Sequence, residues 1–208
     1  YPLNDNLHSR AELSTFLFKT QIGQNIKWDK ISSWNSGQIG SSYAGISNDG
    51  DLYVWGVNYG GLPDFTEEAL EKWNNGVEYG FTIKEPKLIE LELEQPSQSR
   101  RYSRRGSRSY TREYRGSDVD LGKGFGVLQT KNGKLLSWGN NLSSQLGNGK
   151  NETYKKVIQP ELGFGYIRNI SAGDQQTGII NHTNKLKMFG SNDQGQLGNG
   201  APPYNKPL

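Results

Sequence analysis

A twelve-residue stretch occurs twice in this chain, and equivalent positions of the two copies are 51 residues apart. It reads WGNNLSSQLGNG over residues 138–149 and FGSNDQGQLGNG over residues 189–200. A weaker third copy, LYVWGVNYGGLP, lies upstream and places Trp55 and Gly56 where the second copy has Trp138 and Gly139. A period of this size is typical of solenoids, propellers and arrays, in which each repeat buries its apolar face against the next.

Each copy predicts a β-hairpin followed by a tight bend. The segments AGISNDGDLYVWG, VLQTKNGKLLSWG and IINHTNKLKMFG each hold two short apolar runs across a turn. Asp-Gly at 49–50 and Asn-Gly at 132–133 are strong hairpin signals, and Asn-Lys at 184–185 is a weaker one. Glycine after the aromatic lets the backbone turn where a β-carbon would clash, and the Asn two residues later suits a tight turn. We therefore assign turn-forming roles to Gly56, Gly139, Gly190, Asn141, Asn192, Gly147 and Gly198.

These residues resemble the repeats of the regulator of chromosome condensation family. The match is most specific over residues 137–149 and 188–200, looser over 49–62, and visible again in ISAG at 170–173. The resemblance implies a seven-bladed β-propeller with about four short antiparallel strands per blade. It also implies, for some members, nucleotide exchange on a small nuclear GTPase and binding to chromatin. Where the family usually places a histidine after ISAG, the nearest residue here is Gln176.

The predicted fold class is all-β: a propeller, or an arc of one, because three copies cannot close a seven-bladed ring. Twenty-seven glycines in 208 residues favour a design with many turns. Residues 1–27 do not show the repeat and stay unassigned, whereas residues 28–208 form the propeller repeats. The chain begins at Tyr1 and stops where another strand would start, so we expect a divergent member or a segment of a longer chain.

Two insertions are predicted between the first and second copies, because Gly56 and Gly139 are 83 residues apart instead of 51. The first, at about residues 63–80, is a short helix with Asp64 and Glu67 in a capping box. Its Trp73 either packs the helix on the body or forms a partner-binding knob. The second, at about residues 95–117, is an Arg/Ser-rich loop. Insertions into repeats usually emerge on one face, often the binding face.

The Arg/Ser tract (residues 97–117) holds seven arginines and one acidic residue, while the rest of the chain has 17 Lys and Arg against 20 Asp and Glu. Arginine makes bidentate contacts with phosphate or carboxylate, and tyrosine stacks on bases. Three interpretations stay open: a protein or virion assembly contact, a nucleic-acid contact, and a solvated loop without a ligand. The candidate partner-binding residues are Arg100, Arg101, Arg104, Arg105, Arg108, Arg112, Tyr102, Tyr110 and Trp73.

The sequence predicts neither catalysis nor a cofactor. Cysteine is absent, the two histidines, His8 and His182, are far apart, and no phosphate-binding loop occurs. No apolar run approaches the ~20 residues of a membrane span. The predicted function is a non-catalytic scaffold for macromolecular interaction in a larger assembly, with other protein subunits as partners and nucleic acid as a further candidate. The alternatives are a guanine-nucleotide exchange factor for a small GTPase with chromatin association, and a receptor- or glycan-binding module of a virion or cell surface.

Overall fold

The computed structural model describes residues 22–35, 40–58, 81–91, 114–160, 163 and 165–200. Within these residues every regular element is a β-strand, which confirms the all-β prediction; the predicted helix at 63–80 lies outside them. The strands form three antiparallel sheets, which we call blades 1, 2 and 3. Blade 1 holds β1 (Trp28–Asn35), β2 (Ser41–Ser47), β3 (Leu52–Asn58) and β4 (Phe81–Ile89). Blade 2 holds β5 (Gly116–Gly122), β6 (Phe125–Thr130), β7 (Leu135–Gly139) and β8 (Tyr154–Ile158), and blade 3 holds β9 (Ile167–Ala172), β10 (Gln176–Asn181) and β11 (Leu186–Gly190).

The three repeat aromatics occupy equivalent points of the three blades. Trp55 pairs with Tyr43, Trp138 with Gly126 and Phe189 with Thr177, each across the central hairpin of its blade. The hairpin turns also agree, because Gly50, Gly133 and Asn184 all have positive φ, of 91°, 74° and 59°. Asn is the non-glycine residue that best tolerates this conformation. The third turn is therefore formed by Thr183 and Asn184, one residue earlier than the predicted Asn-Lys pair, with Asn184 in the position that glycine has in the other two turns.

The fourth strand of blade 1 contains a proline. It spans Phe81–Ile89 and includes Pro86, which has no N–H to donate. The register with β3 is irregular between Val54 and Gly56, so residues 84–86 lie opposite Trp55 outside the regular ladder. Since β4 is an edge strand that pairs only with β3, a proline is tolerated at this irregularity.

Blade 2 is buried on both faces because it lies between the other two blades. We call the face of a blade that points toward the preceding blade its leading face, and the opposite one its trailing face. Between blades 1 and 2 the core consists of Ala44, Ile46, Leu52, Val54 and Ile89 against Val119, Leu121, Leu128, Leu136, Trp138 and Val157. Between blades 2 and 3 it consists of Phe125, Val127, Leu135 and Leu146 against Ile167 and Ile179. Successive β7 side chains thus serve two different cores, as the two-residue period of a strand requires.

One carboxylate ties the first strands of all three blades together. Asp120 in β5 accepts a hydrogen bond from Ser32 Oγ of blade 1 at 2.6 Å on Oδ1. Its other oxygen accepts from the backbone N–H of Ala172 in blade 3 at 2.8 Å. Ser32 Oγ also accepts from the N–H of Leu121 at 3.1 Å. A carboxylate can bridge two neighbours in this way because it has two acceptor oxygens.

The two predicted insertions leave blade 1 at opposite ends of the same strand. Residues 59–80 enter β4 at Phe81, and residues 90–115 leave it after Ile89. A nine-residue strand is about 27 Å long at the usual rise per residue. The attachment points therefore lie on opposite rims of the arc, rather than on the common face expected for repeat insertions. We call the rim with the β2–β3, β6–β7 and β10–β11 turns the hairpin rim, and the other the loop rim.

Candidate interaction surfaces

The hairpin rim carries the C-terminal end of the Arg/Ser tract, where the chain enters β5. Gly116 N donates to Gly50 O at 2.8 Å, and the guanidinium of Arg115 donates to the carbonyl of Asp49. The Cβ of Arg115 also covers Gly50, since a Cβ added there would lie 2.8 Å from it. Arg115 is therefore part of the fold. β5 begins at Gly116, two residues inside the loop bound predicted at residue 117.

The same junction recurs one blade further on without an insertion. Ile167 N donates to Gly133 O at 2.8 Å, and the ring of Tyr166 covers Gly133. Between β8 and β9 the chain needs only residues 159–166, whereas between β4 and β5 it uses residues 90–115. The extra length between blades 1 and 2 is thus surplus to what joining two blades requires, and it contains most of the arginines.

Acidic side chains lie beside the Arg115 anchor, in the β2–β3 turn. Burial raises the pKa of the Tyr53 phenol above its ordinary value of 10.0, and the carboxylates of Asp51 and Asp49 raise it further. Lys131 Nζ donates to the carbonyl of Asn48 at 3.2 Å, which adds a second cation from blade 2 to this turn. The rim next to the tract is consequently of mixed charge.

On the loop rim, the same set of side-chain hydrogen bonds shapes the loops that follow β7 in blade 2 and β11 in blade 3. In blade 2, Asn141 Oδ1 accepts from Leu146 N at 2.8 Å, and Asn141 Nδ2 donates to Asn148 Oδ1 at 2.9 Å. In blade 3 the equivalent bonds are Leu197 N to Asn192 Oδ1 at 3.0 Å and Asn192 Nδ2 to Asn199 Oδ1 at 3.4 Å. The Asn side chain therefore shapes the whole loop as well as its own turn.

The blade 2 loop also docks on blade 3. Thr177 Oγ1 donates to the carbonyl of Gln145 at 2.7 Å in a buried bond. Ser143 Oγ donates to Gln175 Oε1 at 3.1 Å. A Cβ added to Gly147, whose φ is 74°, would lie 2.8 Å from the Phe189 ring. The glycine after the repeat leucine thus makes room for the aromatic of the next blade.

At each bend glycine, a backbone carbonyl oxygen of a neighbouring strand or turn occupies the space that a Cβ would need. Gly56, Gly139 and Gly190 have φ of 92°, 94° and 118°. An added Cβ would lie 2.3, 2.4 and 2.3 Å from the carbonyl oxygens of Ser41, Gly124 and Gln175, respectively. In blades 2 and 3 the residue after the glycine donates to that same carbonyl, at 2.7 and 2.9 Å.

The candidate partner-binding residues of the sequence lie outside the described residues: Arg100, Arg101, Arg104, Arg105, Arg108, Arg112, Tyr102, Tyr110 and Trp73. Among the residues described, no group of three or more His, Cys, Asp and Glu side chains is placed to hold a metal ion. No helix in that part of the chain is long and apolar enough to cross a membrane.

His182 is exposed on the hairpin rim, where its backbone N–H donates to Tyr166 O at 2.7 Å. Sequence reasoning missed Asp120 and the anchoring role of Arg115, since both act across distant parts of the chain.

Antiparallel blades of up to four strands, stacked face to face with their first strands side by side, define a β-propeller repeat protein. The profile of the regulator of chromosome condensation (RCC1) repeat matches residues 132–180, which run from the β6–β7 turn into β10. The chain is therefore similar to this repeat over residues 132–180, and the rest of the described residues share the propeller architecture.

Known proteins are similar to this chain in sequence or in fold over most of its length. The serine/threonine-protein kinase Nek9 of Xenopus laevis is 26% identical over 210 residues, covering 78% of this chain and 21% of the kinase. The crystal structure of human WBSCR16 gives a TM-score of 0.63 at 18% identity, over 88% of this chain and 39% of that one. Yeast RCC1 (Prp20), in its crystal structure with Kap60, gives 0.56 at 15% identity, over 85% and 35%. The chain thus spans well under half the length of each, and the two structural likenesses support the fold.

Proposed function

We propose that this chain is a non-catalytic β-propeller scaffold that binds another macromolecule, with the Arg/Ser tract on its hairpin rim as the main contact. The observation that carries the proposal is the fixing of the C-terminal end of the tract, at Arg115 and Gly116, to the hairpin rim. β4 ends at Ile89 and β5 begins at Gly116, and Arg115 holds the second end to the Asp49 carbonyl. Rigid attachment confines a cationic segment to one rim, which reduces the entropy lost when it binds.

An acidic protein surface is the partner that we favour. Arginine pairs with carboxylates in a planar, two-pronged geometry, and several such pairs along one segment add affinity and specificity. The yeast structure with a similar fold is itself a complex with another protein, Kap60. Because the helix insertion attaches at the opposite rim, we propose that Trp73 belongs to a second, separate contact surface.

The first prediction concerns the six arginines upstream of the anchor. Replacing Arg100, Arg101, Arg104, Arg105, Arg108 and Arg112 with serine is expected to weaken binding to a poly-glutamate peptide at least about tenfold at low salt, since several ion pairs are lost. The difference should shrink as ionic strength rises. Thermal unfolding should stay almost unchanged because Arg115 remains. Fluorescence anisotropy of labelled peptide and a thermal melt measure the two effects.

A control removes the same charge elsewhere. Six exposed lysines are changed to serine: Lys27, Lys30, Lys84, Lys123, Lys150 and Lys185. The control should bind the peptide nearly as well as the parent chain. Equal losses in both variants would show that net charge alone attracts the peptide. Tighter binding of a single-stranded oligonucleotide than of the peptide would assign the tract to nucleic acid instead.

Guanine-nucleotide exchange on a small GTPase is the second candidate, favoured by the likeness to yeast RCC1. Exchange needs a surface that stabilises the nucleotide-free GTPase and no catalytic dyad, so the fold is compatible with it. Under the scaffold proposal, release of fluorescent GDP from a purified small nuclear GTPase should not accelerate when the chain is added at substoichiometric amounts. Acceleration under these conditions would make exchange the preferred function.

A further inference from the structure

Asn-Gly is the dipeptide in which an asparagine side chain is most readily attacked by the backbone nitrogen that follows it. It occurs at residues 75–76, 132–133, 148–149 and 199–200, the first of which lies outside the described residues. Glycine puts no side chain in the way and adopts the backbone conformations that the attack requires. The pairs at 132–133 and 148–149 are both followed by lysine, so their local sequences are matched. A difference in reactivity between these two pairs would therefore come from the fold.

At Asn148, two hydrogen-bond donors converge on the side-chain oxygen. Asn141 Nδ2 donates to Asn148 Oδ1 at 2.9 Å, and the backbone N–H of Lys150 donates to the same oxygen at 3.1 Å. Asn141 is fully buried and is held by two further bonds, from Leu146 N at 2.8 Å and to Lys150 O at 2.7 Å. When a nucleophile adds to an amide carbon, negative charge develops on the amide oxygen, and preorganised donors stabilise that charge. The loop therefore surrounds Asn148 Oδ1 with a small oxyanion hole.

The nucleophile is the backbone nitrogen of Gly149, which the chain holds next to Cγ of Asn148. Among the residues that the structure describes, none accepts a hydrogen bond from the N–H of Gly149. Gly149 is exposed, and a Cβ added there would meet nothing within 4 Å. The backbone consequently has room to rotate toward Cγ, and water reaches the site.

The hairpin pair Asn132–Gly133 has the opposite environment. Gly133 N donates to Thr130 O at 2.8 Å, and Gly133 O accepts from Ile167 N at 2.8 Å. The ring of Tyr166 covers this glycine, since an added Cβ would lie 2.3 Å from ring atom Cδ2. Attack by the Gly133 nitrogen would require its hydrogen bond to break and the turn to move away from the ring. The fold therefore protects Asn132.

We infer that Asn148 is a modification site at which the native chain converts itself to isoaspartate. The nitrogen of Gly149 forms a bond to Cγ of Asn148, the bond from Cγ to Nδ2 breaks, and ammonia leaves with the hydrogen of the attacking nitrogen. Water then opens the resulting succinimide. Hydrolysis at the Cγ carbonyl gives aspartate. Hydrolysis at the backbone carbonyl leaves the chain running through Cγ, which is isoaspartate with a free α-carboxylate.

This conversion changes a joint between two blades. The loop that ends at Gly149 docks on blade 3 through the 2.7 Å bond from Thr177 Oγ1 to the carbonyl of Gln145. Isoaspartate adds one carbon to the backbone at position 148 and makes the former side-chain carbonyl part of the chain, so the two donors lose their common acceptor. The new α-carboxylate is the group that isoaspartyl methyltransferases esterify. The inference goes beyond the proposed scaffold function and is independent of what the Arg/Ser tract binds.

Peptide mapping by mass spectrometry tests the inference on the parent chain, aged for several weeks in mildly alkaline buffer. We expect isoaspartate to form at least about tenfold faster at Asn148 than at Asn132, because Asn132 reacts only after a hydrogen bond and a ring contact are given up. The same chain unfolded in guanidinium chloride is the matched control. Without the fold, the two rates should agree within about threefold.

Methyl transfer by a purified isoaspartyl methyltransferase gives a second readout. Asn148→Gln should lower the number of methyl groups that the aged native chain accepts, because glutamine cyclises far more slowly, whereas Asn132→Gln should leave it unchanged. A ratio of the two rates that is no larger in the native than in the unfolded chain would overturn the inference, since the fold would then contribute nothing. An Asn148 that stays intact in the native chain while the unfolded chain is converted would overturn it as well.

Discussion

Replacing Gly139 with alanine is expected to reduce the free energy of unfolding by more than about 3 kcal/mol, a loss that few single substitutions reach. Its φ of 94° already disfavours an L residue, and the new Cβ would lie 2.4 Å from Gly124 O and 2.7 Å from Phe125 Cα. Both are backbone atoms, so no side chain can rotate away. Relief would require breaking the 2.7 Å bond from Asn140 N to Gly124 O. For a chain of this size the melting temperature should fall by about 6–12 °C or more.

Gly149 provides the matched control, because its φ of 71° is also positive but a Cβ there would meet nothing within 4 Å. Gly149→Ala should therefore cost only the conformational penalty of about 1–2 kcal/mol. Urea unfolding of the two variants beside the parent chain measures the difference. Equal losses would mean that backbone conformation alone requires glycine at the bend, and that the close carbonyl contributes nothing.

The hairpins were predictable from local sequence, since each depends on residues next to one another in the chain. Alternating apolar residues around Asp-Gly or Asn-Gly specify two short strands and a turn. Asn184 shows that the informative residue is the one able to adopt positive φ, because it stands where the other two turns have glycine. The repeat offset then predicts that Trp55, Trp138 and Phe189 occupy equivalent positions, and the strand registers confirm this.

The contacts between blades were not predictable in the same way. Asp120 bonds to Ser32 across 88 residues and to Ala172 across 52, and no local pattern marks such a partner. The equivalent residues are Ser32 in blade 1 and Ser171 in blade 3. An Asp at a position where the other two repeats have Ser was therefore the available signal. Arg115 was counted among the seven arginines of the tract because its anchoring carbonyl belongs to a turn 66 residues upstream.

The geometry of the insertions needed the strand directions. Sequence spacing shows that extra residues lie between two repeats, but not at which end of a strand they enter. β4 separates the two segments. Once β4 is known to run from Phe81 to Ile89, antiparallel pairing assigns the two insertions to opposite rims. The attachment points of the two segments therefore lie on opposite rims, with the blades between them.

Replacing Trp138 with alanine is the second substitution with a large expected effect, about 3–5 kcal/mol. Trp138 is fully buried between blades 1 and 2, and its ring fills the space above Gly126, where a Cβ would lie 2.3 Å from it. Removing the ring leaves a cavity that the strands of two blades cannot both close. Phe189→Ala, at the equivalent and half-buried position of blade 3, should cost about 1–3 kcal/mol less, since a partly exposed ring loses less burial. Chemical unfolding followed by circular dichroism compares the two variants. A larger loss for Phe189→Ala than for Trp138→Ala would contradict a structure in which blade 2, enclosed on both faces, holds the most buried copy of the repeat aromatic.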